Sequence, residues 1–188
     1  MPPIALAIGR LVPQKGFDLL IEAVALVGPD VLDSWQVEIL GEGPCREELQ
    51  QLLVSRGLSD RVHLVGQVRD VVERLSRASL FVLSSRFEGF PNALTEAMAA
   101  GVASISFDCP TGPRELITPG VDGVLVPPGD VVALSKALTE LMTSPDKRRR
   151  IGEAARVSMS KYAPNHVGDQ WDGLIDEVVS RVRHRRRR

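Results

Sequence analysis

Apolar and β-branched residues recur along the chain in short runs at 4–8, 35–40, 62–65, 80–83, 103–107 and 124–126, several of them apolar at consecutive positions. A strand with one wet face alternates polar and apolar residues, so runs of this kind predict strands covered on both faces. Between them lie segments compatible with helix at 17–27, 46–56, 71–78, 93–100 and 114–117, the last little more than a turn. This alternation of strand and helix predicts an α/β, Rossmann-like, doubly wound domain: a parallel sheet of about six strands with helices on both sides.

After Pro128 the pattern turns to helices alone, at 131–143, 146–161 and 165–182. Trp171, Leu174, Ile175, Val178 and Val182 form a stripe at helical spacing on the last of these, which is expected to pack on the core. No internal repeat or low-complexity linker interrupts the chain. Residues 1–182 therefore read as one domain, and residues 183–188 as a basic tail without order of its own.

Composition narrows the function classes. The 188 residues suffice for one sizeable core and not for two large ones. An aromatic content of 4% argues against a stacking platform for single-stranded nucleic acid, and no nucleic-acid partner is expected. The formal net charge of -1 hides an uneven distribution, because Arg183, Arg185, Arg186, Arg187 and Arg188 sit at the very end and leave the rest of the chain acidic. Such a tail attracts anionic lipid or nucleic acid, or else it is simply solvated. Cys45 and Cys109 form no CxxC pair and stand near no histidine cluster, so neither a disulfide framework nor a metal site is predicted. No apolar run approaches the ~20 residues that span a bilayer, and the first residues lack a basic leader with a cleavage site. The expected location is cytoplasmic, with peripheral contact at the membrane surface left open.

Ligands of open parallel sheets bind beyond the carboxyl ends of the strands, which directs attention to the loops found there. The first loop carries Gly9, Arg10, Pro13, Lys15 and Gly16. A guanidinium fork and a mobile ammonium in one Gly- and Pro-bounded loop suit a diphosphate, although an ordinary surface pair of cations reads the same way. The second loop, with Gly41, Gly43 and Pro44, begins like a dinucleotide fingerprint but has Arg46 at the third glycine position, so a tight turn leading into a helix is favoured. The loop after the fourth strand is the richest. Asn92 reads as an N-cap, 93–100 as a short helix and Gly101 as its C-terminal cap, so the free amides at the helix start are an anion site. Glu88 precedes that helix and Glu96 lies about a turn inside it. Either the two carboxylates bracket a ligand and accept hydroxyl groups, or they are a loop charge and a charge favouring the first helical turn. Asp108, Thr111, Gly112 and Glu115 form a secondary cluster at the same rim, or a plain polar turn.

Taken together, Gly9 and Arg10, Lys15 and Gly16, Gly41 with Gly43 and Pro44, Glu88 followed after seven residues by Glu96, Gly101, Asp108, Gly120, Gly123, Val126, Gly129 and Asp130 form an ordered series. In order and spacing this series resembles the C-terminal domain of the retaining glycosyltransferases of family 4, which have the GT-B fold. The resemblance extends over about residues 4–160. The segment 107–117 is similar to the amylovoran and N-acetylgalactosaminyl transferase branch.

The resemblance implies a donor site. Arg10 and Lys15, with Gly9 beside them, would hold the diphosphate of a nucleotide sugar, helped by the amides of Asn92, Ala93 and Leu94. Glu96 would bind ribose hydroxyls, Glu88 with the backbone of Gly89, Phe90 and Pro91 would bind the sugar, and the base would rest near Gly66. Uridine diphosphate sugars are favoured over guanosine diphosphate sugars, no further cofactor is implied, and the absence of an Asp-x-Asp triplet fits donor binding without a metal. The implied reaction transfers a hexose or N-acetylhexosamine to a glycan or lipid-linked acceptor. Full-length members carry a second Rossmann-like domain that binds the acceptor, so the expectation is a partner domain supplied in trans or missing, and an isolated chain without turnover. The resemblance further implies a final helix that returns toward that domain and leaves the stripe from Trp171 to Val182 partly exposed. A free-standing nucleotide-sugar-binding module and a fragment of a sugar-nucleotide 2-epimerase remain as alternatives.

Overall fold

The computed structural model describes residues 2–185, leaving aside the side chains at 164, 170, 176 and 178–185. Six parallel strands, β1 (Ile4–Ile8), β2 (Gln36–Leu40), β3 (Val62–Gly66), β4 (Leu80–Leu83), β5 (Ser104–Phe107) and β6 (Val124–Val126), form one sheet in the order β3-β2-β1-β4-β5-β6. The chain thus works outward from β1 to one edge, returns to the centre at β4 and works outward to the other. The sheet is therefore doubly wound, the class the strand and helix alternation predicts, in an order the alternation leaves open.

Alternate residues of the central strands face two separate cores, because side chains point to opposite faces with period two. Ala5, Ala7, Val37, Ile39, Leu80 and Val82 pack on one side beneath α1 (Phe17–Ala25), α3 (Arg46–Ser55) and α7 (Val131–Thr143). Leu6, Leu40, Phe81 and Leu83 pack on the other with α4 (Val71–Arg77), α5 (Asn92–Ala99) and α8 (Pro145–Met159). Every residue of β4 and β5 is buried, whereas edge strand β3 alternates, leaving His63 and Val65 exposed. The two serines of β5 are tolerated inside because Ser104 Oγ donates to the Val102 carbonyl at 3.0 Å and Ser106 Oγ to that of Phe107 at 2.7 Å.

Some short elements escape the periodicity of the sequence. α2 (Pro29–Leu32), α6 (Pro113–Leu116) and a 3-10 turn at Pro13–Lys15 are too brief to carry a stripe. α3 opens at Arg46, where the sequence places it, and the Cys45 amide just before it is bound to the Leu11 carbonyl at 3.0 Å. The last helix, α9, covers Pro164–Arg185 and so runs through Arg183 and Arg185. Trp171, Leu174 and Ile175 are 60, 51 and 53% exposed, so this part of the stripe does not pack on the core as expected. No segment among the described residues offers α9 the apolar surface its stripe calls for. The side chains of Val178 and Val182, and residues 186–188 of the basic tail, lie outside the described residues.

Candidate functional site

β1 and β4 are neighbours whose following crossovers leave in opposite directions, so the loops at their carboxyl ends diverge and open a crevice. The first of these loops tightens into the 3-10 turn and ends at Gly16, whose φ of 62° is left-handed. A Cβ there would stand 2.0 Å from the carbonyl oxygen of Ser84, so only glycine lets the two loops approach this closely. Lys15 is delivered to the crevice from one side and Glu88 from the other: Lys15 Nζ lies 2.7 Å from Glu88 Oε1, with the carboxylate side chain 5% exposed. Ser85 Oγ donates to the same oxygen at 2.6 Å. Glu88 is thereby a fixed acceptor with Oε2 left for a ligand, and Lys15 retains donor hydrogens of its own.

Two hollows meet at this edge. One of about 340 Å³ is lined by Gly9, Arg10, Lys15, Glu88, Phe90, Pro91, Asn92, Ala93 and Glu96. The other, about 410 Å³, runs over the ends of β1 and β2 and is lined by Leu40, Gly41, Glu42, Gln67, Val68 and Val71, and again by Gly9 and Arg10. Arg10 is exposed and common to both, its side chain without a hydrogen bond or ion pair among the described residues. Gly41, with φ 138°, closes the second hollow, and a Cβ on it would sit 1.9 Å from the Gly9 carbonyl. Both hollows are lined largely by apolar surface; the larger offers Leu40, Val68 and Val71 and suits an aromatic base, and the smaller, joined to it through Arg10, adds Lys15, Glu88 and Glu96 and suits a phosphorylated sugar.

Most of the residues singled out from the sequence converge here, and the exceptions have local causes. Gly66 ends β3 with its carbonyl accepting from the Gly41 amide at 2.8 Å, and it supports the wall of the larger hollow without lining it. Gly89 is exposed beside the smaller hollow, while the Leu94 side chain is fully buried in the core beneath it. The Asn92 amide donates to the Phe90 carbonyl and that of Leu94 to Pro91, both at 3.0 Å, which leaves the Ala93 amide of the three without a partner among the described residues. Asn92 is also the first residue of α5 rather than its N-cap: Pro91, with ψ 74°, is the last non-helical residue, and its carbonyl accepts from Leu94 and Thr95. Gly101 follows α5 in the left-handed conformation, φ 79°, as its capping role requires.

Two residues of the secondary cluster read in the loop after β5 find partners in the structure. Thr111, itself at φ 60°, donates its hydroxyl to the Glu88 carbonyl and ties the loop after β5 to the site. Asp108 pairs with Arg114, whose guanidinium hydrogen bond holds that carboxyl below the usual carboxylate range. Glu42, in the turn after β2, is held by Arg46 Nη1 at 2.9 Å while Nη2 of the same arginine reaches the Leu64 carbonyl at 2.9 Å. Burial raises the thiol of Cys109, and the nearby Glu88 charge acts in the same direction. Among the described residues no group of three His, Cys, Asp or Glu is arranged to hold a metal ion, and no helix is long and apolar enough to cross a membrane.

The family model described as glycosyl transferases group 1 matches residues 1–158. The chain belongs to this family. It is 42% identical over 92% of its length to an exopolysaccharide phosphotransferase of Streptomyces coelicolor, covering 18% of that protein. It is 34% identical over 94% of its length to the α-D-kanosaminyltransferase of Streptomyces kanamyceticus, covering 46% of it. The chain thus spans half or less of these curated relatives. The branch suggested by segment 107–117 is represented at lower identity, 28% to an amylovoran biosynthesis glycosyltransferase of Erwinia amylovora. In structure, the group 1 domain overlays a point mutant of S. aureus TarM, solved with Fondaparinux, α-GlcNAc-glycerol and UDP, with a TM-score of 0.85 at 26% identity over 92% of this chain and 35% of that one. The fold is that of the Rossmann-like domain of GT-B glycosyltransferases.

Proposed function

We propose that this chain is the donor-binding half of a retaining glycosyltransferase that transfers a hexose or N-acetylhexosamine from a nucleoside-diphosphate sugar to a glycan or lipid-linked acceptor. The observation that carries the reading is the pair of joined hollows with Arg10 between them and the Lys15 and Glu88 pair at the far end. A nucleotide sugar laid along them puts its base over Val68 and Val71, its diphosphate at Arg10 and Lys15 and its sugar at Glu88. The TarM complex supports a uridine donor over a guanosine one, because that relative was solved with UDP. Similarity to a kanosaminyltransferase supports a sugar-transfer chemistry.

Departure of the nucleoside diphosphate places negative charge on the leaving phosphate. Lys15, held against Glu88, and Arg10, at the junction of the two hollows, are placed to meet it, and a preorganised donor contributes ~3 to 4 kcal/mol to a transition state of this kind. In this reading the two cations take the place of a divalent metal. Glu88, already bonded to Lys15 and Ser85, orients sugar hydroxyls and is not the nucleophile; the acceptor enters on the leaving-group face. The acceptor site belongs to a further domain, so the isolated chain binds donor without turning it over.

Titration calorimetry with UDP tests the site. Arg10→Ala combined with Lys15→Ala is expected to weaken binding by roughly 100-fold, since two charge-assisted hydrogen-bonding groups are lost. Equal affinity in the variant and the parent would remove the diphosphate assignment. The same titration in EDTA is expected to be unchanged, and lost binding would overturn the metal-independent part of the reading.

A further inference from the structure

The loops that carry Lys15 and Glu88 are laced together by a residue outside the cleft. The Arg86 guanidinium donates to both carboxylate oxygens of Asp18, at 2.8 and 2.6 Å, and to the Pro13 carbonyl at 2.7 Å. Its backbone amide donates to the Gln14 carbonyl at 2.8 Å, and the Gln14 side-chain amide returns to the Phe87 carbonyl at 3.0 Å. Ser84 Oγ donates to the Lys15 carbonyl at 3.0 Å. Each residue of the 3-10 turn is therefore fastened to the segment leading to Glu88. Arg86 and Asp18 do not line the hollow of Lys15 and Glu88; they line a separate one of about 170 Å³.

We propose that Arg86 and Asp18 are positioning residues, a bidentate clamp that keeps Lys15 in register with Glu88 so that both meet the same bound diphosphate sugar. The inference rests on the donor-site reading above. A guanidinium fork matches a carboxylate only when the two are coplanar, so the pair fixes orientation as well as distance. Both side chains are 40% exposed, where an ion pair adds little to global stability. The consequence is local instead. Lys15 has a flexible four-carbon stem, and its ammonium stays within 2.7 Å of Glu88 only while its backbone is held. A slip of a fraction of an ångström between two such groups is enough to degrade a site.

A double-mutant cycle read by UDP titration calorimetry separates this role from general destabilisation. In the parent, Lys15→Ala and Arg86→Ala are each expected to weaken UDP binding about tenfold. With Lys15 already replaced, Arg86→Ala is expected to cost little more, because the clamp then has no ammonium to hold. Losses that simply add, or an Arg86→Ala protein that binds like the parent, overturn the clamp. If Lys15→Ala itself binds UDP like the parent, the donor-site reading fails and takes the clamp with it. Should Arg86→Ala not fold, Asp18→Asn keeps the side-chain shape while removing the ionic partner, and the same cycle with Lys15→Ala decides the question.

Discussion

Glu88 and Glu96 share one short stretch of chain and have different surroundings. The Glu88 side chain is 5% exposed and bonded to Lys15 and Ser85, while Glu96 lies exposed on α5 at the rim of the same hollow. Their roles should therefore separate. Glu96→Gln is expected to weaken binding of the nucleotide itself, and Glu88→Gln to leave UDP affinity nearly intact while lowering the preference for UDP-sugar over UDP, each by about tenfold. Titration of both ligands against both variants checks this, and the opposite pattern would reverse the assignment. From the residues alone these positions were readable only as candidates, because a surface pair of cations, a loop charge and a charge in the first helical turn read the same way, and the family resemblance singled them out. Their contacts were not readable. Thr111 and Arg86 act through contacts with loops distant in sequence, and Ser85 through the side chain of Glu88 three residues on, none of which the residue types announce.

At the scale of elements, strand positions followed from continuous apolar runs and helix positions from the gaps, whereas the ends depended on single hydrogen bonds. α7 illustrates a well-marked start: Asp130 Oδ1 accepts from the Ala133 amide at 2.8 Å, satisfying one of the orphan donors of the first turn. Asp130→Ala is expected to cost about 1 kcal/mol, which for a domain of this size lowers the melting temperature by about 2 to 4 °C. Calorimetry would register it, and an unchanged melting temperature would mean that the cap is compensated elsewhere. α5 is the contrasting case, since Pro91 rather than Asn92 ends the preceding loop, and the difference changes which amides face the hollow.

At the scale of the whole molecule, the Asp18–Arg86 and Asp108–Arg114 ion pairs lie in or beside the loops at the sheet's carboxyl edge, and both respond to acid. Hydrogen bonds from Arg86 to Asp18 and from Arg114 to Asp108 hold these carboxyls below their ordinary value of 3.8. Their stabilisation is complete above that value and is lost as pH falls through the depressed folded values. The exposure of the partners keeps it small. Thermal unfolding followed from pH 6 to pH 3 is expected to be flat for these groups above about pH 5 and to fall below about pH 4, less steeply in Asp18→Asn. An equal slope in that variant would show that Asp18 does not contribute. Trp171, Leu174 and Ile175 on α9 lead to a different expectation: replacing all three with glutamine should leave the melting temperature unchanged, because each is more than half exposed. A large drop in melting temperature would mean that the stripe packs on its own domain. The sequence by itself determined the α/β alternation, the six strands and the candidate residues of the site, because periodicity and loop chemistry are local properties. The tertiary structure alone decided the strand order, and with it that the loops after β1 and β4 border one crevice and that Lys15 meets Glu88 across it. Which loops become neighbours depends on how the crossovers pack on the sheet, and no stretch of local sequence contains that.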